Sequence, residues 1–245
     1  MSVRSTLAGR GEVIVAADDA EHAALAAELM AHAVREAVAA RGVARVALSG
    51  GTTPAEAYRR LAALDLPWAS TEWFWVDERA VPPDSARSNY RNACADLWVL
   101  TALVPPAQVH RMEADDADLA AAAARYEAQL RRLFGVAAAV AFDVMTLGVG
   151  EDGHTASLFP GTGAVGVVDR LVLPVAARPA KSLEARLALT APVIQEARTL
   201  LVLSRGASKR AAVDAARSSG DEEEVPARLV QKAKGRLHWL LSLSG

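Results

Sequence analysis

The feature that most constrains the fold of this chain is a repeated order of segments: an apolar run, a polar loop, then an amphipathic segment. Apolar runs cover residues 43–48, 73–76 and 142–149, and apolar side chains at helical intervals cover residues 18–41 and 116–134. A buried parallel strand is a nearly continuous apolar run, whereas a surface helix repeats its apolar side chains every three or four residues. The alternation predicts an α/β fold with helices on both faces of a mostly parallel sheet.

Local signals give the expected ends of the helices. The pair Asp18-Asp19 offers an N-cap and Gly42 follows the helix end, while residues 53–56 resemble a capping box with Pro54 at the first helical position. Another helix should begin near Ser88-Asn89. We also expect strands at residues 109–112, 171–175, 187–189, 200–203 and 236–241, helices at residues 192–197, 207–217 and 225–233, and a solvated acidic loop at residues 221–224.

Composition argues against several classes of protein. Hydrophobic residues make up 52% of the chain, and 27 Lys and Arg stand against 29 Asp and Glu, so a core can form and no basic field attracts nucleic acid. No run of about 18 apolar residues suits a membrane span, and residues 1–10 lack the apolar stretch of an export signal. The single Cys94 fits a buried position in a reducing compartment. We expect one domain over residues 1–245, in the cytoplasm, as a monomer or weak homo-oligomer without a nucleic-acid or membrane partner.

Three polar loops follow apolar runs directly, at residues 49–54, 77–82 and 148–161. In open α/β sheets, ligands bind outside the carboxyl ends of the strands. The first loop, Ser49-Gly50-Gly51-Thr52-Thr53-Pro54, offers backbone N–H groups, hydroxyls and a helix N-terminus to an anion such as phosphate. It matches neither the Walker loop nor the dinucleotide fingerprint, so ATP and NAD are poorly supported. A structural turn before a helix explains the same residues equally well.

The third loop carries the residue best suited to acid–base chemistry. His154 follows Glu151 and Asp152 across one glycine, and the ordinary pKa of an imidazole, about 6.5, lies near neutral pH. A purely structural histidine remains an equal alternative on the residues alone. The sequence shows no zinc-like spacing of His and Cys and no Gly-x-Ser-x-Gly nucleophile motif. It therefore favours direct attack by water and predicts no metal.

Three blocks together resemble the 6-phosphogluconolactonase family: Ser-Gly-Gly-Thr-Thr-Pro at 49–54, Asp-Glu-Arg at 77–79 with Val81-Pro82 and Ser88-Asn89, and Gly-Glu-Asp-Gly-His-Thr-Ala-Ser-Leu-Phe-Pro-Gly at 150–161. Similar blocks continue at residues 186–190 and 206–209, whereas Ala80 and residues 227–229 depart from the family pattern. The resemblance implies a Rossmann-like three-layer α/β/α fold, shared with glucosamine-6-phosphate deaminases and ribose-5-phosphate isomerases. It also implies that the chain needs no cofactor and hydrolyses a phosphorylated sugar lactone in the oxidative pentose phosphate pathway.

With this resemblance, each candidate residue has an expected role. His154 is the general base, Asp152 orients its ring, and Arg79 binds the phosphate or the developing oxyanion. The expected substrate-binding residues are Ser49, Gly50, Gly51, Thr52, Asn89, Arg186 and Lys209. Lys209 lies in the first turn of a helix, where a cation is unfavourable unless an anion lies nearby. Asn89 is explained equally well as a helix cap, and Arg186 as an exposed charge at a strand end.

Two other functions remain open at this stage. An aminosugar-phosphate deaminase or isomerase uses the same fold and a related Asp-Gly-His turn. That family typically has an acidic residue a few positions after the histidine, where this chain has Ser157-Leu158-Phe159. A non-enzymatic sugar-phosphate sensor is the other alternative, although no extra helix-turn-helix region or basic patch remains for DNA.

Overall fold

A computed structural model describes residues 3–5, 9–98, 104–135, 140–178 and 183–242 of the chain. Residues 1, 2 and 6–8 of the segment 1–10, where the sequence predicts no export signal, lie outside the described residues. Within the described ranges, every helix is too short or too polar to cross a membrane.

The main sheet has seven strands. Their order is β1 (Val3–Ser5), β2 (Glu12–Ala16), β10 (Arg236–Ser242), β9 (Thr199–Arg205), β6 (Val144–Gly148), β3 (Ala44–Leu48) and β4 (Thr71–Trp75). All neighbours are parallel except β1 and β2, which are antiparallel. Neither β1 nor β2 was predicted from the sequence, because each apolar run is short and no helical pattern precedes it in the sequence.

The described residues contain six α-helices: α1 (Asp19–Arg41), α2 (Ala55–Ala62), α3 (Asn89–Ala93), α4 (Leu119–Phe134), α5 (Ala191–Gln195) and α6 (Arg210–Arg217). A π-helical turn, Cys94–Trp98, extends α3. Shorter 3-10 turns are Trp68–Ser70, Pro106–Gln108, Ala164–Gly166, Ala207–Lys209 and Pro226–Lys232. The predicted ends of α1 are confirmed: the Asp18 side chain accepts the Glu21 N–H at 2.8 Å, and Gly42 ends the helix with a φ of 76°.

Alternate residues along each strand contribute to cores on opposite faces of the sheet. Val46 and Leu201 pack in one core with the apolar sides of α1 and α2. Ala47 and Val202 pack in the other core, which α4, α5 and α6 cover. The predicted three-layer architecture with a mostly parallel sheet is therefore confirmed.

A second, smaller sheet is antiparallel. Its strands lie in the order β5 (Asp77–Arg79), β8 (Arg186–Leu189) and β7 (Val172–Val175). The prediction of a loop over residues 77–82 is wrong for the first three of them, because their backbone pairs with β8. This pairing sets Arg79 directly opposite Arg186.

Three local predictions need correction. Residues 53–56 form no capping box: α2 starts after Pro54 without a side-chain cap, and the Glu56 carboxylate binds arginines 59 and 60 instead. Residues 109–112 form no strand, since only Val109 bridges to β4. Helix α4 begins at residue 119 and not at 116, because the Asp118 side chain accepts the Ala121 N–H at 2.9 Å.

Candidate functional site

A cavity of about 270 Å³ opens at the carboxyl edge of the main sheet. The loops after β3, β6 and β9 enclose it together with β5 and β8. Its lining consists of Ser49, Gly50, Gly51, Thr52, Thr53, Asp77, Arg79, Asn89, Gly148, Val149, Gly150, His154, Ala156, Arg186 and Lys209. The structure thus brings together every site residue named from the sequence except Asp152, which is not part of the lining but contacts His154.

Two glycines shape the loop that follows β3. A Cβ atom on Gly50 would lie 1.8 Å from Oδ1 of Asn89, so only glycine allows this approach. Gly51 has a φ of 94°, a conformation that side chains disfavour. In the part of the chain that the structure describes, the N–H groups of Gly50, Gly51 and Thr52 donate to no acceptor. Free backbone donors just before helix α2 are suited to an anion.

Ser49 anchors this loop. Its N–H and its hydroxyl both donate to Oγ1 of Thr146, at 2.9 and 3.2 Å, and the Tyr58 hydroxyl donates to its carbonyl at 2.9 Å. Burial raises the pKa of Tyr58 to about 12, so this hydroxyl keeps its proton at cellular pH. The Ser49 side chain lines the cavity, but its hydroxyl proton is already engaged by Thr146 of β6.

His154 forms a pair with Asp152 at the mouth of the cavity. Nδ1 of the imidazole lies 2.5 Å from Oδ1 of Asp152, which also accepts the His154 N–H at 3.2 Å. A Cβ atom on Gly150 would lie 2.1 Å from Nδ1, and Gly153 turns the loop with a φ of 83°. Because the carboxylate engages Nδ1, Nε2 is the ring nitrogen that can exchange a proton with a ligand.

The segment after α6 supports the His154 loop. The Ala227 N–H donates to the Gly153 carbonyl at 2.9 Å, and the Gly163 N–H donates to the Glu223 carboxylate at 2.5 Å. Residues 221–224 form the predicted solvent-accessible loop, and within it the Glu223 carboxylate also accepts a backbone donor. Although residues 227–229 depart from the family pattern, Ala227 is in direct contact with this loop.

Asp77 holds three side chains in place at the cavity. Its buried carboxylate accepts from the Ser157 hydroxyl at 2.5 Å and from Nη1 of Arg186 at 3.4 Å, and its carbonyl accepts from Nδ2 of Asn89 at 2.9 Å. Arg186 is only 7% exposed, so its explanation as an exposed strand-end charge is wrong. Burial lowers the pKa of Arg186 and the charge of Asp77 opposes this shift, yet a guanidinium stays protonated in proteins.

Glu78 fixes the position of Asn89. Its buried carboxylate accepts the N–H groups of residues 79, 89 and 90, at 2.7 to 2.8 Å, and the Ser88 hydroxyl at 3.0 Å. Burial raises the pKa of Glu78, and these hydrogen bonds oppose the shift. The helix cap of α3 is Ser88, whose side chain accepts the Arg91 N–H. The alternative explanation of Asn89 as that cap is therefore wrong.

Arg79 and Lys209 bring positive charge to the cavity. Nη1 of Arg79 donates to the Arg87 carbonyl at 2.7 Å, and Nε is buried without a partner among the described atoms. Lys209 lies at the start of α6, as the sequence predicted, and neither cation pairs with a carboxylate among the described residues. Beside it, the Ser208 hydroxyl donates to Glu151 at 2.9 Å and ties this turn to the His154 loop.

Sequence reasoning assigned no role to Asp77, which lines the cavity, or to Ser157, which contacts Asp77 but is not part of the lining. Both lie in the blocks that resemble the known family, and that resemblance was the available signal. Their contact joins positions 80 residues apart, which no local pattern reveals. Across the described ranges, no three His, Cys, Asp or Glu side chains are grouped in a way that could hold a metal ion.

Known proteins are similar in sequence to this chain over most of its length. A family model described as glucosamine-6-phosphate isomerases/6-phosphogluconolactonase matches residues 17–239. The 6-phosphogluconolactonase of Synechocystis sp. is 41% identical over 211 residues, which cover 85% of each chain. The 6-phosphogluconolactonase of Mycobacterium tuberculosis is 38% identical over 225 residues, covering 89% of this chain and 90% of the relative.

Solved structures give the same result. The 6-phosphogluconolactonase of Trypanosoma brucei superposes with a TM-score of 0.83 at 28% identity and covers 96% of this chain and 97% of its own. The enzyme of Thermotoga maritima gives a TM-score of 0.82 at 26% identity, with 94% and 98% covered. The resemblance inferred from the sequence blocks is confirmed, and the chain belongs to the family of glucosamine-6-phosphate isomerases and 6-phosphogluconolactonases.

Proposed function

We propose that this chain hydrolyses 6-phospho-D-glucono-1,5-lactone to 6-phosphogluconate, a step of the oxidative pentose phosphate pathway. One observation carries the proposal: a single cavity holds His154, which contacts Asp152, together with backbone donors and cations that have no acceptor or carboxylate partner among the described residues. The pair suits proton transfer, and the donors and cations suit a phosphate and an oxyanion. The relatives that carry this name support the same reaction.

In the mechanism that fits this geometry, Nε2 of His154 takes a proton from a water molecule as the water oxygen attacks C1 of the lactone. The carbonyl electrons move onto the C1 oxygen and give a tetrahedral oxyanion. When this intermediate collapses, the bond between C1 and the ring oxygen breaks, and His154 returns its proton to that oxygen. Asp152 holds the Nδ1 side of the ring and stabilises the imidazolium between the two transfers.

In this proposal, the phosphate of the substrate binds to the cations of the cavity and to the backbone donors of the first loop. Gly50, Gly51 and Thr52 provide N–H groups at the start of α2, and Lys209 provides a charge without a carboxylate partner among the described residues. Arg79 and Arg186 meet across β5 and β8 and serve either the phosphate or the oxyanion. Most of the ground-state binding energy then comes from the phosphate and not from the sugar ring.

We also propose that the protein acts in the cytoplasm, as a monomer or a weak homo-oligomer, on a free small molecule. The lone Cys94 is half-buried, and burial raises the pKa of its thiol to about 11, which suits a cysteine that stays reduced. Light scattering of the purified protein measures the oligomeric state.

The decisive experiment is a pH-stat assay on freshly prepared 6-phosphogluconolactone, corrected for spontaneous hydrolysis. We expect acid release well above the uncatalysed rate, and much lower catalytic efficiency on gluconolactone without phosphate. A rate equal to the spontaneous one would disprove the lactonase activity. Equal catalytic efficiency on both lactones would disprove the phosphate site but not the lactonase activity. Ammonia release from glucosamine 6-phosphate, measured in parallel, would favour the deaminase alternative.

A further inference from the structure

Phe159 contacts the ionisable side chains of the site although it is not part of the cavity lining. The ring is 3% exposed, its centroid lies 4.7 Å from that of the His154 imidazole, and Cζ of Arg186 lies 5.5 Å from the same centroid. We propose that Phe159 is a positioning residue for the hydrolysis, whose ring sets the rotation of the His154 imidazole and holds the Arg186 guanidinium. This inference rests on the proposed lactonase function.

The histidine needs a second contact because its one hydrogen bond runs to a partly exposed carboxylate. The bond from Nδ1 to Asp152 opposes rotation of the imidazole about its Cβ–Cγ bond, but both side chains are about one-third exposed, so the pair can shift together and move Nε2 away from the attacking water. The Phe159 ring is inclined by 45° to the imidazole and blocks this shift on one side. A general base must lie within hydrogen-bond reach of the proton it takes, so a small rotation lowers the rate.

Arg186 is held only weakly by its polar partners. Its Nη1 donates to Asp77 at 3.4 Å and to Ser157 at 3.3 Å, its Nη2 lies 4.0 Å from the Glu184 carboxylate, all long distances, and its Nε is buried without a partner among the described atoms. A guanidinium over an aromatic face is attracted by the negative face of the ring, and more strongly where water is excluded. The Phe159 ring therefore supplies a contact that the hydrogen bonds do not.

The ring can act as a fixed support because its own segment is pinned on both sides. Before it, the Thr155 hydroxyl donates to the Gly148 carbonyl at 2.9 Å and the Ser157 hydroxyl donates to Asp77. After it, the Thr162 hydroxyl donates to the Phe159 carbonyl at 2.7 Å. Between these anchors Ala156 has a φ of 49°, a strained conformation that such anchoring can maintain.

Arg178 adds a second cation to the same ring, with Cζ 5.6 Å from the centroid. Its Nη1 is buried without a partner among the described atoms. Two cations on one ring and a histidine beside it are more than a phenylalanine needs for packing alone. A role restricted to the core would require only apolar neighbours, such as those around Phe142, which packs edge-on against Phe74 and Phe134.

The test compares Phe159→Leu, Phe159→Tyr and the matched core variant Phe142→Leu in the lactone assay. Leu removes the ring at position 159, and we expect kcat to fall about 10- to 100-fold because the base loses its alignment. KM should rise about 2- to 5-fold through the loss of the cation–π contact. The Tyr variant keeps the ring and should restore most of kcat. Phe142→Leu should lower the melting temperature while leaving kcat and KM unchanged.

The comparison also contains the results that would overturn the inference. A folded Phe159→Leu protein with wild-type kcat and KM, or an equal loss of kcat in Phe142→Leu, would leave Phe159 as an ordinary core residue. If the Leu variant does not fold, Phe159→Met fills the space without a ring and is judged in the same way against the Tyr variant. Wild-type protein without lactonase activity would disprove the proposed function itself, a result distinct from both.

Discussion

The two edges of the main sheet carry similar charged residues but use them differently. The amino-terminal edge has Arg41, Arg45 and Arg198 next to the starts of β3 and β9, and the carboxyl edge has Arg79, Arg186 and Lys209 around the cavity. At the amino-terminal edge the protein itself supplies the partners of its charges. At the carboxyl edge it leaves charges and donors incompletely satisfied.

Asp143 is the centre of the amino-terminal edge. Its carboxylate, 6% exposed as a side chain, lies 2.6 Å from Nη2 of Arg41 and 3.3 Å from Nε of Arg198, and it accepts the Arg45 N–H at 2.8 Å. The Arg45 guanidinium pairs with Glu72 at 2.7 Å. These contacts tie the end of α1 to the first residues of three strands, so the charges stabilise the fold.

The charged and polar groups of the carboxyl edge are less completely paired. Lys209 pairs with no carboxylate among the described residues, and the Nε atoms of Arg79 and Arg186 and Oδ1 of Asn89 are buried without described partners. Leaving buried polar atoms unsatisfied costs stability, by about 1–3 kcal/mol for each group. The difference between the edges supports the proposal that a ligand, and not the protein, completes the hydrogen bonding and charge of the carboxyl edge.

The largest effect should come from His154→Asn at the carboxyl edge. Asparagine keeps polarity near Asp152 but cannot take a proton from water, so we expect kcat to fall about 100- to 10,000-fold. The loop faces the cavity, so the melting temperature and the affinity for 6-phosphogluconate should change little. The pH-stat assay measures kcat, and calorimetric titration measures the affinity for 6-phosphogluconate. A variant that binds the product and retains wild-type turnover would mean that the base lies elsewhere.

Removing one cation from each edge gives the next effect. Lys209→Met should lower kcat/KM about 10- to 100-fold, mainly through KM, because a charge-assisted hydrogen bond to phosphate contributes about 1.5–3 kcal/mol. Arg198→Met is the matched control at the opposite edge, where the same loss of charge should leave KM unchanged. Equal effects of the two substitutions on KM would contradict the difference between the edges.

Asp143→Asn, at the amino-terminal edge, should have the opposite effect to the substitutions at the carboxyl edge: it should lower stability and leave catalysis unchanged. The substitution removes the charge that balances Arg41 and Arg198 and weakens the hydrogen bond to the Arg45 N–H. We expect the free energy of unfolding to fall by about 1–3 kcal/mol, less than the roughly 3–5 kcal/mol for a fully buried pair, because both arginines are about half exposed. Urea unfolding measures this change. An altered KM in the folded variant would show that the two edges are coupled.

The sequence predicted the carboxyl edge better than the amino-terminal edge, for a physical reason. Loops that bind anions need glycine where the backbone approaches closely, and they need histidine or cations at fixed offsets, so Gly50, His154 and Lys209 are visible as local patterns. The carboxylate of Asp143 holds residues about 50 to 100 positions away in the chain. Such contacts arise only from the packed sheet, and no short motif records them.

The same reason explains what was missed within the site. Asp77 and Ser157 act through each other across the fold, and β5 takes its pairing from β8, more than 100 residues later. The apparent capping box at residues 53–56 had the right residue types, but the Glu56 carboxylate found two arginines on its own helix. Local pattern thus predicted which loops line the cavity, whereas tertiary pairing decides which side chains there are already engaged by the protein.

The smallest effect should follow from chelation, which tests whether the carboxyl edge works with side chains alone. In the proposed mechanism, His154 would activate water through Nε2, and Lys209 and the two arginines would supply positive charge, so no Lewis acid is required. We expect EDTA to leave kcat and KM unchanged in the pH-stat assay, which avoids a coupling enzyme that could itself respond to the chelator. Because a metal would bring a concentrated charge to the same cavity, its removal would also weaken phosphate binding and raise KM. Loss of activity in EDTA that one divalent ion restores would therefore mean that the unsatisfied groups of this edge are completed by a metal as well as by the substrate.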